Sequence, residues 1–175
     1  NDESLKLRKK LFEIGINTVM QRNSYFDYFQ KGIEKIERTM HFRDGLKSMS
    51  VAVLDDDKLQ LAIIRNYFEK NDIYNVDYYS EPRGLLTAEK KYDVFLIDLI
   101  LPEISGEIVM LEMRKKYENA VIIGISSLND YSVVANVLSI GANDYITKPF
   151  NEQVFMAKLY SSVRVLMLLK ENDVK

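Results

Sequence analysis

The stretch Asp93-Val94-Phe95-Leu96-Ile97-Asp98-Leu99-Ile100-Leu101-Pro102 decides the fold. Val94 to Ile97 are all apolar, which marks a strand buried on both faces, since a strand with one wet face alternates instead. Asp98 then delivers a lone carboxylate to the strand's C-terminal end. Pro102 and Gly106 mark the loop that follows. Val51-Ala52-Val53-Leu54 repeats the pattern and ends in Asp55-Asp56-Asp57. In open parallel sheets, ligands gather at the carboxyl ends of the strands. Two strands that end in carboxylates form a cluster of hard oxygens suited to Mg²⁺.

Outward from this stretch, strand and helix patterns alternate regularly. Strands are expected at 50–54, 73–79, 93–97, 120–125 and 143–146. Helices are expected near 58–70, 81–90, 105–117 and 130–140, with a last one from 151 to about 170 capped by Asn151. Leu61, Ile64 and Phe68 mark the buried face of the first of these helices. Val154, Phe155, Leu159 and Val163 mark that of the last. Alternation of this length implies right-handed crossovers and an α/β fold with a doubly wound, five-stranded parallel sheet.

Residues 1–48 form a helix-rich extension. Leu5, Leu7, Leu11, Phe12 and Ile14 fit one helical face, ended by Gly15. Residues 16–20 fit a short strand, and Ser24 fits the cap of a helix carrying Tyr25, Phe29, Ile33 and Ile36. Arg43-Asp44-Gly45 reads as a turn. The segment from Ile14 to Met20 is weakly similar to that from Ile140 to Ile146, at an offset of 126 residues. Residues 1–42 are therefore expected to be the closing part of a preceding copy of the same fold, and an unrelated helical linker is the alternative. Asn1 is not an initiator Met, so a longer chain is expected. Residues 171–175 then read as the start of a linker to a further region.

Composition narrows the function. The 24 basic and 26 acidic residues leave a formal charge of -2, with no electrostatic footprint for nucleic acid. Cysteine is absent and His41 is the only histidine, which excludes thiolate metal sites and His clusters. No signal-peptide pattern or membrane-length apolar run is present, so the cytoplasm is the expected compartment.

The remaining chemical markers fall at strand ends. Ser126-Ser127 closes the fourth strand and Thr147-Lys148-Pro149-Phe150 closes the fifth. In a parallel sheet these ends share one edge, so Asp55, Asp56, Asp98, Ser126 and Lys148 are expected around one shallow pocket. Phosphoryl transfer to a carboxylate needs such a set. Asp98, alone on the central strand, is the nucleophile candidate. Asp55 and Asp56 are the metal holders, and a hydroxyl and an ammonium bind the other phosphoryl oxygens.

These motifs, together with Tyr145-Ile146-Thr147-Lys148-Pro149-Phe150, resemble the receiver domain of two-component response regulators over residues 49–170. The resemblance implies a flavodoxin-like receiver fold. It implies a self-phosphorylating signalling switch rather than a turnover enzyme, with Asp98 accepting a phosphoryl group from a sensor histidine kinase or phosphotransfer protein. It further implies Mg²⁺ held by Asp55, Asp56, Asp98 and the Ile100 carbonyl, and phosphoryl oxygens held by Ser126 and Lys148. Tyr145 would be the switch aromatic, turning inward with Ser126. Output would pass through the fourth helix, fifth strand and fifth helix to an effector elsewhere in a full-length chain, for example a diguanylate cyclase.

Val163 to Leu169 is apolar nearly all round the last helix, apart from Arg164. That predicts a homodimer through residues 130–170 or a docked neighbouring domain. Neither nucleic acid nor membrane is an expected partner. Ile100 and Leu128, two residues after Asp98 and Ser126, should flank the phosphoryl group and slow its hydrolysis. The rival readings are an unphosphorylated interaction module and a Mg²⁺-dependent aspartyl-phosphate phosphatase. Ile100, standing where such phosphatases often carry a second acid, argues against the latter.

Overall fold

The computed structural model describes residues 44–128 and 130–172, with side chains described as far as Leu168. The expected helices, short strand and receiver-like tail within residues 1–42, and His41, lie outside the described residues. Five parallel strands stand in the order β2-β1-β3-β4-β5. They are β1 (Val51–Leu54), β2 (Val76–Tyr79), β3 (Val94–Asp98), β4 (Val121–Ser126) and β5 (Asp144–Thr147). The helices between and after them are α1 (Lys58–Lys70), α2 (Pro82–Leu86), α3 (Gly106–Lys116), α4 (Tyr131–Ser139) and α5 (Glu152–Asn172).

The central strands β1, β3 and β4 are apolar up to their closing residues because their side chains alternate between two covered faces. Val51, Val53, Val94, Leu96, Val121, Ile123 and Ile125 pack with Ile64 and Phe68 of α1 and with Phe155, Leu159 and Val163 of α5. Ala52, Leu54, Phe95, Ile97 and Ile122 pack with Leu85 of α2, Val109, Met110 and Met113 of α3, and Val137 of α4. This two-sided burial is the α/β doubly wound architecture expected from the uninterrupted runs.

Four expectations are corrected. β2 begins at Val76 rather than 73, because Ile73 N–H closes onto the Phe68 carbonyl and finishes α1. α2 ends at Leu86 rather than 90; Thr87 closes it, and Lys90 is drawn to Asp77 of β2 at 2.7 Å. Val154 is exposed, since the buried stripe of α5 runs through Phe155, Leu159, Val163 and Leu166. Asp44 and Gly45 are helical rather than a turn: residues 44–48 form a helical turn whose Leu46 is fully buried in the α1/α5 layer. A Cβ on Gly45 would lie 2.1 Å from Met167 Cε, so this segment covers part of the apolar surface of α5.

Candidate functional site

Strand register assembles the site. Leu54 pairs with Ile97, so the next residues, Asp55 and Asp98, emerge side by side. Ser126 pairs with Thr147, which sets Lys148 beside the same edge. Lys148 Nζ donates to Asp55 Oδ2 and to Asp98 Oδ2, each at 2.7 Å. Carboxylate oxygens of Asp55, Asp56 and Asp98 lie within 4.8 Å of one another. Asp55 is only 1% exposed, whereas Asp56 faces solvent. The third acid of the run stands apart from this cluster. Asp57 caps α1, its Oδ1 accepting the Leu59 N–H at 2.8 Å.

The loops are tied to the acids. Asp57 N–H donates to Asp55 Oδ1 at 3.0 Å, and Ile100 N–H donates to Asp98 Oδ1 at 3.1 Å. Gly106 lets the loop after β3 fold back onto its own strand end: a Cβ there would lie 1.9 Å from the Asp98 carbonyl oxygen. Ser126 is fully buried; its Oγ accepts the Leu128 N–H at 3.2 Å, and its carbonyl accepts the Lys148 N–H at 2.7 Å. The Lys148–Pro149 peptide bond is cis. Tyr145 is buried under α4, and its hydroxyl donates to the Leu128 carbonyl. Ile100 (49% exposed) and Leu128 (44% exposed) stand on the loops after Asp98 and Ser126.

Charge in this cluster is unbalanced. Burial raises the pKa of Asp55 above the usual carboxylate range, more than Lys148 lowers it, and the Asp98 charge adds to the rise. Burial alone would lower Lys148, but its hydrogen bonds and charge pairing with Asp55 and Asp98 prevail and raise it. Three carboxylates on one ammonium leave two negative charges, and the donors are hard oxygens. Both properties fit a divalent ion such as Mg²⁺.

All five pocket residues expected from the sequence thus sit at one sheet edge. Two participants were not anticipated. One is the Leu128 carbonyl as acceptor for Tyr145. The other is Gly124, whose signal was available: a glycine inside an apolar strand marks a close approach.

Residues 51–160 match the protein family described as response regulator receiver domain. A chemotaxis protein CheY homolog of Campylobacter jejuni subsp. jejuni (strain 81-176) is 32% identical over 116 residues, spanning 63% of this chain and 89% of that protein. Among solved structures, the Francisella response regulator 1452 receiver domain is 30% identical, with a TM-score of 0.59, over 68% of this chain and 96% of that one. The BeF3-activated receiver domain of DrrB, a Thermotoga maritima protein, is 26% identical, with a TM-score of 0.61, over 66% and 97%.

Proposed function

This chain belongs to the response regulator receiver family, and from that membership we propose that Asp98 accepts a phosphoryl group and so sets a signalling switch. The single observation that carries the reading is Lys148 bridging Asp55 and Asp98 at 2.7 Å each, beside Asp56. In the proposed step an Asp98 carboxylate oxygen attacks the phosphorus of a phosphohistidine on a sensor kinase or phosphotransfer protein. The new O–P bond forms as the P–N bond breaks, and its electron pair stays on the imidazole nitrogen, which takes up a proton. Lys148 and Ser126 donate to phosphoryl oxygens. Asp55, Asp56, Asp98 and the Ile100 carbonyl would hold Mg²⁺, which when bound neutralises charge on those oxygens.

The output follows from position. Tyr145 lies between Ser126 and α4, so a shift at Ser126 would reach the face made by α4, β5 and α5. That face would signal to an effector domain or to a second copy of this chain. Residues 49–170 would be the switch unit. The repeat at an offset of 126 supports reading residues 1–42 as the tail of a preceding receiver-like unit, whereas residues 44–48 pack with the switch unit through Leu46.

Intact-mass analysis after incubation with acetyl phosphate and Mg²⁺, beside Asp98→Asn, tests the proposal. One phosphoryl adduct on the parent and none on the variant is expected. No adduct on either protein would instead favour an unphosphorylated interaction module.

A further inference from the structure

α5 outruns the sheet on which it packs. It has 21 residues, about 32 Å at the helical rise. β4, the longest strand, has 6 residues, about 20 Å. The last turns of α5 therefore need support from something other than strands. Leu166 borders a cavity of about 270 Å³ whose walls include Tyr92, Asp93, Asn119 and Ala120, just before β3 and β4. Open space gives a side chain no packing partners on that flank.

Residues 44–49 supply the support. Leu46 is fully buried, Met49 is 5% exposed, and both share a core cluster with Val163 and Leu166. A Cβ on Gly45 would overlap the Sδ–Cε end of Met167, so Met167 rests on bare backbone. That contact accounts for a glycine inside a helical turn, where it otherwise costs stability. The turn is pinned on its other sides as well. Ser48 Oγ donates to the Gly45 carbonyl at 2.7 Å, and Ser50 N–H donates to Asp93 Oδ2 at 2.9 Å. Lys47 Nζ lies 3.4 Å from Asp72 Oδ2, two residues past the end of α1. This joint stands at the amino ends of the strands, whereas Asp98 stands at a carboxyl end.

We propose that residues 44–49 are a second input to α5. The segment that joins residues 1–43 to β1 and the C-terminal half of α5 loosen and order as one unit. A change in the preceding segment thus reaches α5 without passing through Asp98. Folded proteins open in such contiguous cooperative units, and a coupling between two parts acts equally in both directions. The use of α5 as an output rests on the reading given above; the joint itself does not.

Hydrogen exchange of the full chain, read by mass spectrometry, tests this by disturbing one side and reading the other. Leu46→Ala should speed exchange in residues 163–172 several-fold more than in the central strand β3. Met167→Ala trims a half-buried side chain and keeps the test available should Leu46→Ala not fold. It should speed exchange in residues 46–51 several-fold more than in β3. Both cross-effects should keep their size when Asp98→Asn is added. Loosening confined to the substituted side, or equal in β3, overturns the proposal, as does a cross-effect lost with Asp98→Asn. Acceptance of a phosphoryl group is read separately by intact mass, so its failure would count against Asp98 chemistry and not against the joint.

Discussion

Asp55 is a carboxylate placed where a carboxylate is unwelcome. It is buried, shares one ammonium with Asp98, and its pKa is raised above 3.8 by burial first, with the Asp98 charge adding to the rise. With the folded pKa above the unfolded one, the unfolded chain ionises first as pH rises. The resulting penalty on folding is absent below about 3.8 and complete above the folded pKa. In metal-free protein, Asp55→Asn should therefore raise stability at neutral pH by on the order of 1 kcal/mol. The gain should fade as the pH falls below the normal carboxylate range, and thermal melts at neutral and acid pH check this. Mg²⁺ should raise the melting temperature of the parent by binding the folded form. It should do so less for Asp55→Asn, which has lost a donor charge.

Ile100 and Leu128 act at the same scale. Each follows a pocket residue by two positions, and both are half-exposed and apolar. Neither side chain can position or deprotonate a water for attack on a phosphoryl group at Asp98. The expected aspartyl phosphate is therefore long-lived, decaying over minutes or more. Ile100→Asn, which adds a polar group at the loop, should shorten its life several-fold. Loss of the phosphoryl adduct followed by intact mass checks both; decay of the parent within seconds would contradict the argument.

At the scale of elements, close approaches hold the site in place. The loop after β3 returns so tightly that any Cβ at position 106 would overlap the Asp98 carbonyl and the Leu99 backbone. Gly106→Ala should cost roughly 1–3 kcal/mol or more, because backbone on both sides cannot step aside as a flexible side chain can. Denaturant unfolding measures the loss, and metal affinity should fall with it. Leu46 gives a second test. It is fully buried against α1 and α5 although it precedes β1. Leu46→Ala should cost about 2–5 kcal/mol, read in the same unfolding experiment.

These two elements also show where the sequence was legible. Runs such as Val94 to Ile97 read as strands covered on both faces because they are short and bounded by turn signals such as Pro102 and Gly106, and the acids at their ends follow by register. Helix phase was less secure. Val154 and Phe155 are both apolar neighbours, and only the packing of α5 chooses Phe155. Leu46 lay hidden because α5, with which it shares a core cluster, begins more than a hundred residues later. The link from Tyr145 to the Leu128 carbonyl depends on the path of a loop backbone, which side-chain pattern does not encode.

At the scale of the whole molecule, β5 is an edge strand, so α4, β5 and α5 together form one end of the sheet. Among the described residues, no helix is long and apolar enough to cross a membrane. Residues 44–48 cover the part of α5 around Met167 and Leu166, while Val165 and Leu168 on α5 and Leu138 on α4 remain exposed. Single exposed apolar residues are ordinary, but three on the two helices flanking one edge support the proposed contact with a second copy there. With only these three exposed apolar side chains to bury, the dimer should be weak and concentration-dependent rather than obligate. Sedimentation velocity of the full chain should show self-association that increases with beryllofluoride and Mg²⁺. Val165→Glu should reduce it, because a charge would be desolvated at the centre of the contact. Tyr74→Glu, beside β2 at the opposite edge, should leave it unchanged. Equal losses from both substitutions would move the contact away from α4 and α5.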